Sequence, residues 1–565
     1  MSVSTFPIYR RYVMVGERQV HVRYGGAGPL LVLLHQSPRS SAELEPLMQL
    51  LAHQFTVLAP DTPGNGLSDP LANRAPDAVD FADALAGLFD ALAIRRAPIY
   101  GYHTGASIAC AFAERHPGRV EVAILNGLAA FLPAEQDDLL RRYLPPFVPH
   151  WDGSHLTWLW SRMREQMIFF PWYATSGANR MPFDVAGPEG LTNAAIDFLS
   201  AGDNYRAPYR AALSMDARNR LSRMSVRTYV MASAMDPLYP HLARLETSIG
   251  DLVTIEELGS GPGKLAARMT EICLGGGMGT SATLHFPPEQ VSEIPPAAVV
   301  ARVVKDYIDV NGGIAHLYRV AHRPELPAVL LIHDLYEDAS AWQGFVKGFL
   351  LRNVVVPDLP GYGESAPLDS APSVDEYADW CRRLMASLGH STFDVIGVGA
   401  GATVATRLIQ ESPDTVRRAV LISPRVQDVE ANDEEKSLVQ QIVNKEWSGS
   451  HLLKAWMLCR DDQLFRPWFK RTRGASITNT EQLHDDRVHL RARAVIKAGP
   501  QVLKYLNAIS ASPTDLNLKE IGSVKLATQV WESSSPEAIA LPGAPADWPS
   551  AIAPHLTSLA VAAAQ

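Results

Sequence analysis

The residue with most to offer chemically is His103, in the middle of Gly101-Tyr102-His103-Thr104-Gly105. An imidazole whose orientation is fixed by a carboxylate is a general base near neutral pH, able to activate water or take a proton from a substrate. A second glycine frame, Gly397-Val398-Gly399-Ala400-Gly401, holds no reactive side chain. The four cysteines, Cys110, Cys273, Cys381 and Cys459, are isolated and form no CxxC pair, so neither a zinc site nor a redox motif is expected. His150, Asp152 and His155 are grouped, but no third region supplies ligands. The run HDDRVH, from His484 to His489, reads as a solvated helix face. No metal is expected.

The elements that would position these residues occur twice. An apolar strand breaks into a polar loop in GPLLVLLHQSPRSS and again in PAVLLIHDLYEDAS. FTVLAPDTPGNGLSDP is answered by NVVVPDLPGYGESAP, and APIYGYHTGASIACAFAERHPGRVEVAILN by FDVIGVGAGATVATRLIQESPDTVRRAVLIS. The spacings repeat too: His35 to Asp61 is 26 positions and His333 to Asp358 is 25, while Asp61 to Gly101 is 40 and Asp358 to Gly397 is 39. Strand–helix alternation implies a mainly parallel sheet in each copy. A chain of 565 residues also exceeds what one core usually fills. The expected domains are residues 1–273 and 297–565, joined by the glycine- and proline-rich stretch 274–296.

The order HQSP, DTPGNGLSDP, GYHTGA and a strand ending MDPLYP resembles the α/β-hydrolase superfamily, of the epoxide-hydrolase, haloalkane-dehalogenase and C–C hydrolase type. The resemblance covers most of both halves and is stronger in the first. It implies two tandem α/β domains, each a mainly parallel sheet flanked by helices, with helical caps over about 132–221 and 426–517. In this family the third strand-to-helix turn is the nucleophile elbow, G-x-S-x-G. Both copies keep its glycines and neither keeps its nucleophile. Asp236 stands at the family's acid position in the first copy and Ser535 in the second. At the family's histidine position the first copy reads IEELGSGPGKLAARM, without histidine. In the second, Asp547 falls closest and His555 lies deeper in the following helix.

The resemblance therefore implies a His103–Asp236 dyad, with the ring extending into the space the family's own histidine vacates. It implies an oxyanion hole from the backbone N–H groups of Gln36 and Thr104, and structural roles for His35 and His333. The cap is rich in large aromatics: Trp160, Phe169 and Phe170 are expected in its packing, while Tyr102, Trp158, Trp172 and Tyr173 are expected to bind substrate. The second domain, with nothing titratable at its elbow, is expected to be non-catalytic. Three readings follow. The first is a cofactor-independent enzyme that acts on a small, mostly apolar carbonyl or ester-like compound by His-based general base catalysis, as hydrolysis or C–C cleavage. The second is a ligand-binding or scaffolding pseudoenzyme without turnover. The third is a serine esterase using an off-elbow residue, Ser37 or Ser107.

A net charge of −9 argues against nucleic acid or anionic membrane as the main partner, since no basic excess exists to neutralise phosphates. The partner expected is a small-molecule substrate, with the oligomeric state left open. MSVSTFPIYRRYVMVG has no apolar signal-peptide core and no long apolar run follows, so the cytoplasm is the expected compartment.

Overall fold

The computed structural model describes residues 6–246, 249–275, 284, 286, 302–320, 328–348, 352–368, 371–425, 429–477, 484–512, 524–529, 539–541, 550 and 552. The chain divides into two compact units, Met1–Val148 with Trp158–Gln290, and Pro149–Thr157 with Val291–Gln565.

In the first unit the strands are β1 (Ile8–Val15), β2 (Arg18–Gly26), β3 (Leu30–Leu34), β4 (Thr56–Pro60), β5 (Ala97–Tyr102), β6 (Val120–Asn126), β7 (Thr228–Ser233) and β8 (Val253–Leu258). They form one sheet in the order β1-β2-β4-β3-β5-β6-β7-β8. From β4 onward every pairing is parallel; β2 runs antiparallel to both β1 and β4. The central strands are continuous apolar runs because helices cover both faces of the sheet. All five residues of β3, LLVLL, are buried. Each Leu so placed contributes roughly 1.5–3 kcal/mol relative to exposure.

The second unit repeats the plan with β9 (Val303–Val310), β10 (Gly313–Val320), β11 (Ala328–Ile332), β12 (Asn353–Pro357), β13 (Phe393–Val398), β14 (Val416–Ile422), β15 (Val524–Gln529) and β16 (Ile539–Leu541). Its sheet order, β9-β10-β12-β11-β13-β14-β15-β16, matches the first strand for strand. Between β6 and β7 lie the helices from Pro133–Arg142 to Ala217–Ser222, and between β14 and β15 those from Val429–Val443 to Gln501–Ala511. Among the described residues no helix is long and apolar enough to cross a membrane.

The stretch 274–296 differs from a free connector at both places where it is described. The helix Pro262–Gly275 runs into it. Further on, Leu284 and Phe286 pack on the first unit's core, with the Phe286 ring 4.3 Å from that of Tyr24. Apolar side chains spaced along a polar stretch had somewhere to bury.

Candidate active site

The two elbows have the same backbone. His103 has φ 49° and ψ −108°, and Gly399 has φ 55° and ψ −116°. A side chain with positive φ costs strain that only an over-determined turn holds. The surrounding glycines supply that turn. A Cβ on Gly101 would lie 2.2 Å from Gly105 O, and one on Gly105 2.4 Å from Leu34 O. The strand, the turn and the buried helix Thr104–Arg115 thus approach closely enough to aim His103 off the end of β5.

The ring reaches the acid. His103 Nε2 lies 2.8 Å from Asp236 Oδ2, and the two side chains are 22% and 7% exposed. Leu238 N donates to Asp236 Oδ1 at 2.8 Å, which fixes the carboxylate just past β7. Burial pushes the Asp236 carboxyl up, but the opposed His103 ring and its hydrogen bonds hold it below the ordinary value. Tyr102 stacks on the ring, with centroids 4.0 Å apart. Gly127, at the end of β6, leaves the ring its room: a Cβ there would come within 2.3 Å of His103 Cδ2.

The other ring nitrogen, Nδ1, faces Gln36 Oε1 at 3.1 Å. Gln36 in turn is tied to Glu43 on the 3₁₀ turn Ser41–Leu44, its Nε2 donating to Oε2 at 3.0 Å and its backbone N–H to Oε1 at 2.8 Å. The chain Asp236–His103–Gln36–Glu43 is therefore continuous. Its second half escaped the sequence reading, because nothing in the spacing shows that a loop glutamine will span from a histidine 67 positions away to a carboxylate.

The expected oxyanion donors need correcting. The Gln36 N–H is taken by Glu43 and does not point at the elbow. In the second unit the N–H groups of Leu335 and Ala400 converge on one oxygen, each at 2.7 Å. Their counterparts in the first unit are Ser37 and Thr104, one residue along the loop from Gln36. Ser37 N donates there to Thr104 Oγ1 at 2.5 Å, so the Thr104 hydroxyl partly fills the hole. Ser37 and Ser107 are 4% and 1% exposed. Neither serine lines the cavity that borders Asp236.

The cap residues fall in one aromatic cluster. Trp158 packs against Phe147, Trp172 and Phe198. Trp172 Nε1 donates to Tyr143 O, and the Tyr173 hydroxyl donates to Asp138. Of the expected substrate residues, Tyr102 touches the dyad. A cavity of 290 Å³ beside it is lined by Glu43, Tyr100, Tyr102, Asn126, Asp236 and the Gly259 turn, where the family's histidine was missed. A larger cavity of 460 Å³ holds Arg74, Arg206 and Arg210 but no dyad residue. The dyad defines the site, since volume without a reactive group performs no chemistry.

The second elbow is not bare of titratable groups. The oxygen on which Leu335 and Ala400 converge is Oδ1 of Asp334. A Cβ on Gly399 would lie 2.2 Å from Asp334 Cγ. A carboxylate from the preceding loop thus fills the elbow side chain's volume and occupies the two donors itself. Ser535, Asp547 and His555 lie outside the described residues.

His35 and His333 bridge loops: each takes a backbone N–H on Nε2, from Thr62 at 2.9 Å and Leu359 at 3.1 Å. A buried histidine–aspartate hydrogen bond also recurs, His21–Asp61 at 2.9 Å and His316–Asp358 at 2.7 Å. Among the described residues no group of three His, Cys, Asp or Glu side chains is arranged to hold a metal ion.

Comparison with known proteins agrees with this architecture. A model of the alpha/beta hydrolase fold matches residues 29–247, and one of the alpha/beta hydrolase family matches residues 329–561. The chain belongs to the α/β-hydrolase superfamily, in both of its halves. It is similar to 2-(acetamidomethylene)succinate hydrolase of Mesorhizobium japonicum, 35% identical over 130 residues, 23% of this chain and 46% of that one. It is also similar to 2-hydroxymuconate semialdehyde hydrolase of a Pseudomonas species, 32% identical over 146 residues, 25% and 52% of the two chains. Protein NDRG2 of Bos taurus is 35% identical over 116 residues, 18% and 31%. The matches thus span about a third to a half of these relatives. A crystal structure of E-2-(acetamidomethylene)succinate hydrolase superposes with TM-score 0.37 at 22% identity, over 47% of this chain and 98% of that one.

Proposed function

We propose that the first domain is an enzyme acting on a small carbonyl or ester-like compound, with His103 as general base, and that the second domain is non-catalytic. The observation that carries this is the 2.8 Å contact between His103 Nε2 and Asp236 at the elbow. With Nε2 donating to the acid, Nδ1 is the nitrogen that accepts a proton, from water in hydrolysis or from the substrate itself in C–C cleavage. Substrate must displace the Gln36 amide for Nδ1 to be reached. The central elbow position, His103, carries no hydroxyl or thiol, so no acyl-serine or acyl-cysteine forms there.

Arg162 in the cap favours a carboxylate-bearing substrate. Arg162 is 1% exposed, lies over the rings of Tyr143 and Trp172, and has Nε and Nη2 without hydrogen-bond partners. A buried guanidinium with open donors favours an anion. The succinate in the first relative's name is of that class.

The test is a panel of carboxylate-bearing esters, enol esters and diketones. His103→Ala and Asp236→Asn are each expected to lower turnover by about 10²–10⁴-fold. Unchanged turnover in His103→Ala would end the proposal. The second reading, a ligand-binding protein without turnover, is favoured by one observation: with Gln36 in place, both ring nitrogens already have partners. It predicts binding across the panel and no product.

A further inference from the structure

The proposed chemistry needs an imidazole nitrogen without a proton, and the hydrogen bonds around His103 determine when one exists. The ring lies between two oxygens, Asp236 Oδ2 on Nε2 and Gln36 Oε1 on Nδ1. The direction of the Gln36 amide is set from its far side. An ionised carboxylate only accepts hydrogen bonds, so while Glu43 is ionised the Gln36 NH₂ must face it and the Gln36 oxygen must face the ring. A ring between two acceptors needs an N–H on each nitrogen, which is the imidazolium. Turning the amide by half a rotation reverses the requirement. The NH₂ then donates to Nδ1 of a neutral ring, and the amide oxygen accepts from Glu43, which must now carry a proton.

We infer that Glu43 is a positioning residue for the base: through the Gln36 amide, its protonation state selects between neutral and protonated His103. The inference rests on His103 being the base. The two arrangements hold the same number of protons. In one, His103 carries two and Glu43 none; in the other, His103 carries one and Glu43 one, with Asp236 ionised in both. Passing between them, Nδ1 gives a proton to water and Glu43 takes one from it, so no other bond is made or broken. When neutral His103 has taken a proton from substrate and the substrate has left Nδ1, the amide returns with its oxygen toward the new imidazolium and Glu43 gives its own proton to water.

The surroundings allow both forms of Glu43. Burial pushes its carboxyl above the ordinary value, against the pull of Arg39, His35 and the Gln36 hydrogen bonds. Arg39 is shared with Asp197, which it meets at 2.8 Å. Tyr100 and Tyr102 also face Glu43, while Tyr102 and Asp236 face the His103 ring and His241 lies beyond Asp236. The second domain has Asp334 and Ala341 where the first has Gln36 and Glu43, so the arrangement is confined to the first.

The experiment is a pH titration of the ¹⁵N-histidine-labelled full chain by NMR, with His103→Ala assigning the ring signals. In Glu43→Gln the new amide donates to the Gln36 oxygen and turns the Gln36 NH₂ toward His103. Uptake of the second ring proton is expected to move to lower pH, with at least about a tenfold loss of proton affinity. In a Gln36→Leu background the same change at 43 is expected to move nothing. No shift in Glu43→Gln, or an equal shift with and without Gln36, would overturn the inference. A measurement on the wild type guards against a misfolded variant. The Glu43 carboxyl carbon and the His103 ring should follow one shared two-step titration; independent curves would also overturn it. No substrate is involved, so this result and the fate of the proposed activity are decided separately.

Discussion

A side chain added at Gly399 would meet the carboxylate that has taken its place. Gly399→Ser is expected to destabilise the second domain by at least about 1–3 kcal/mol through the positive φ alone, and further through the 2.2 Å approach to Asp334. Combined with Asp334→Ala the collision disappears, so a double-mutant cycle by denaturant unfolding should show coupling of roughly 0.5–3 kcal/mol. Additive effects would mean that Asp334 does not fill that volume. At this scale the sequence made the contact between His103 and Asp236 legible, through a histidine in a glycine frame and an acid just past a late strand. It was silent where one side chain replaces another from a different loop. A glycine at 399 shows what is missing and not what fills the gap, and Asp334 shows only a carboxylate next to a structural histidine. Gln36 was read for its backbone, while the structure uses its side chain.

Strand ends and turns set the aim of the His103 ring, and a close tolerance is at the end of β6. Gly127 has φ 67°, and a Cβ there would lie 2.3 Å from His103 Cδ2 and 2.7 Å from Nε2. Gly127→Ala is expected to push the ring off Asp236 and to lower turnover on the order of a hundredfold, with the circular dichroism spectrum unchanged. Full activity would show that the ring has more freedom than this geometry allows. Elements of this kind were largely legible. Continuous apolar runs ending in glycine frames mark buried parallel strands, and matched spacings put the two copies in register. The strand-to-strand partners that fix Asp236 beside the elbow were not legible, because β5 and β7 are separated by the whole cap.

Over the whole molecule, the same buried histidine–aspartate hydrogen bond supports each sheet. Burial pushes Asp61 and Asp358 up, yet His21 and His316 hold both carboxyls below the ordinary value. Their stabilisation is complete above about pH 4, the unfolded value, and is lost as pH falls through the lowered folded values. Asp61→Asn should therefore lower stability at neutral pH by roughly 3–5 kcal/mol and flatten its loss between neutral and acid. By calorimetry Asp61→Asn should shift one unfolding transition and Asp358→Asn another. Both variants moving the same transition would contradict two separately stabilised units. The second unit's elbow also limits which substitutions it tolerates. Restoring a side chain at 399 alone brings a clash, and losing Asp334 alone removes the acceptor from the Leu335 and Ala400 N–H groups. Either substitution made first is therefore expected to give a less stable chain than both together. With the loop carboxylate seated over the bare turn, the second unit is held against a new side chain at 399 unless residue 334 changes with it, so the two positions behave as one locked pair.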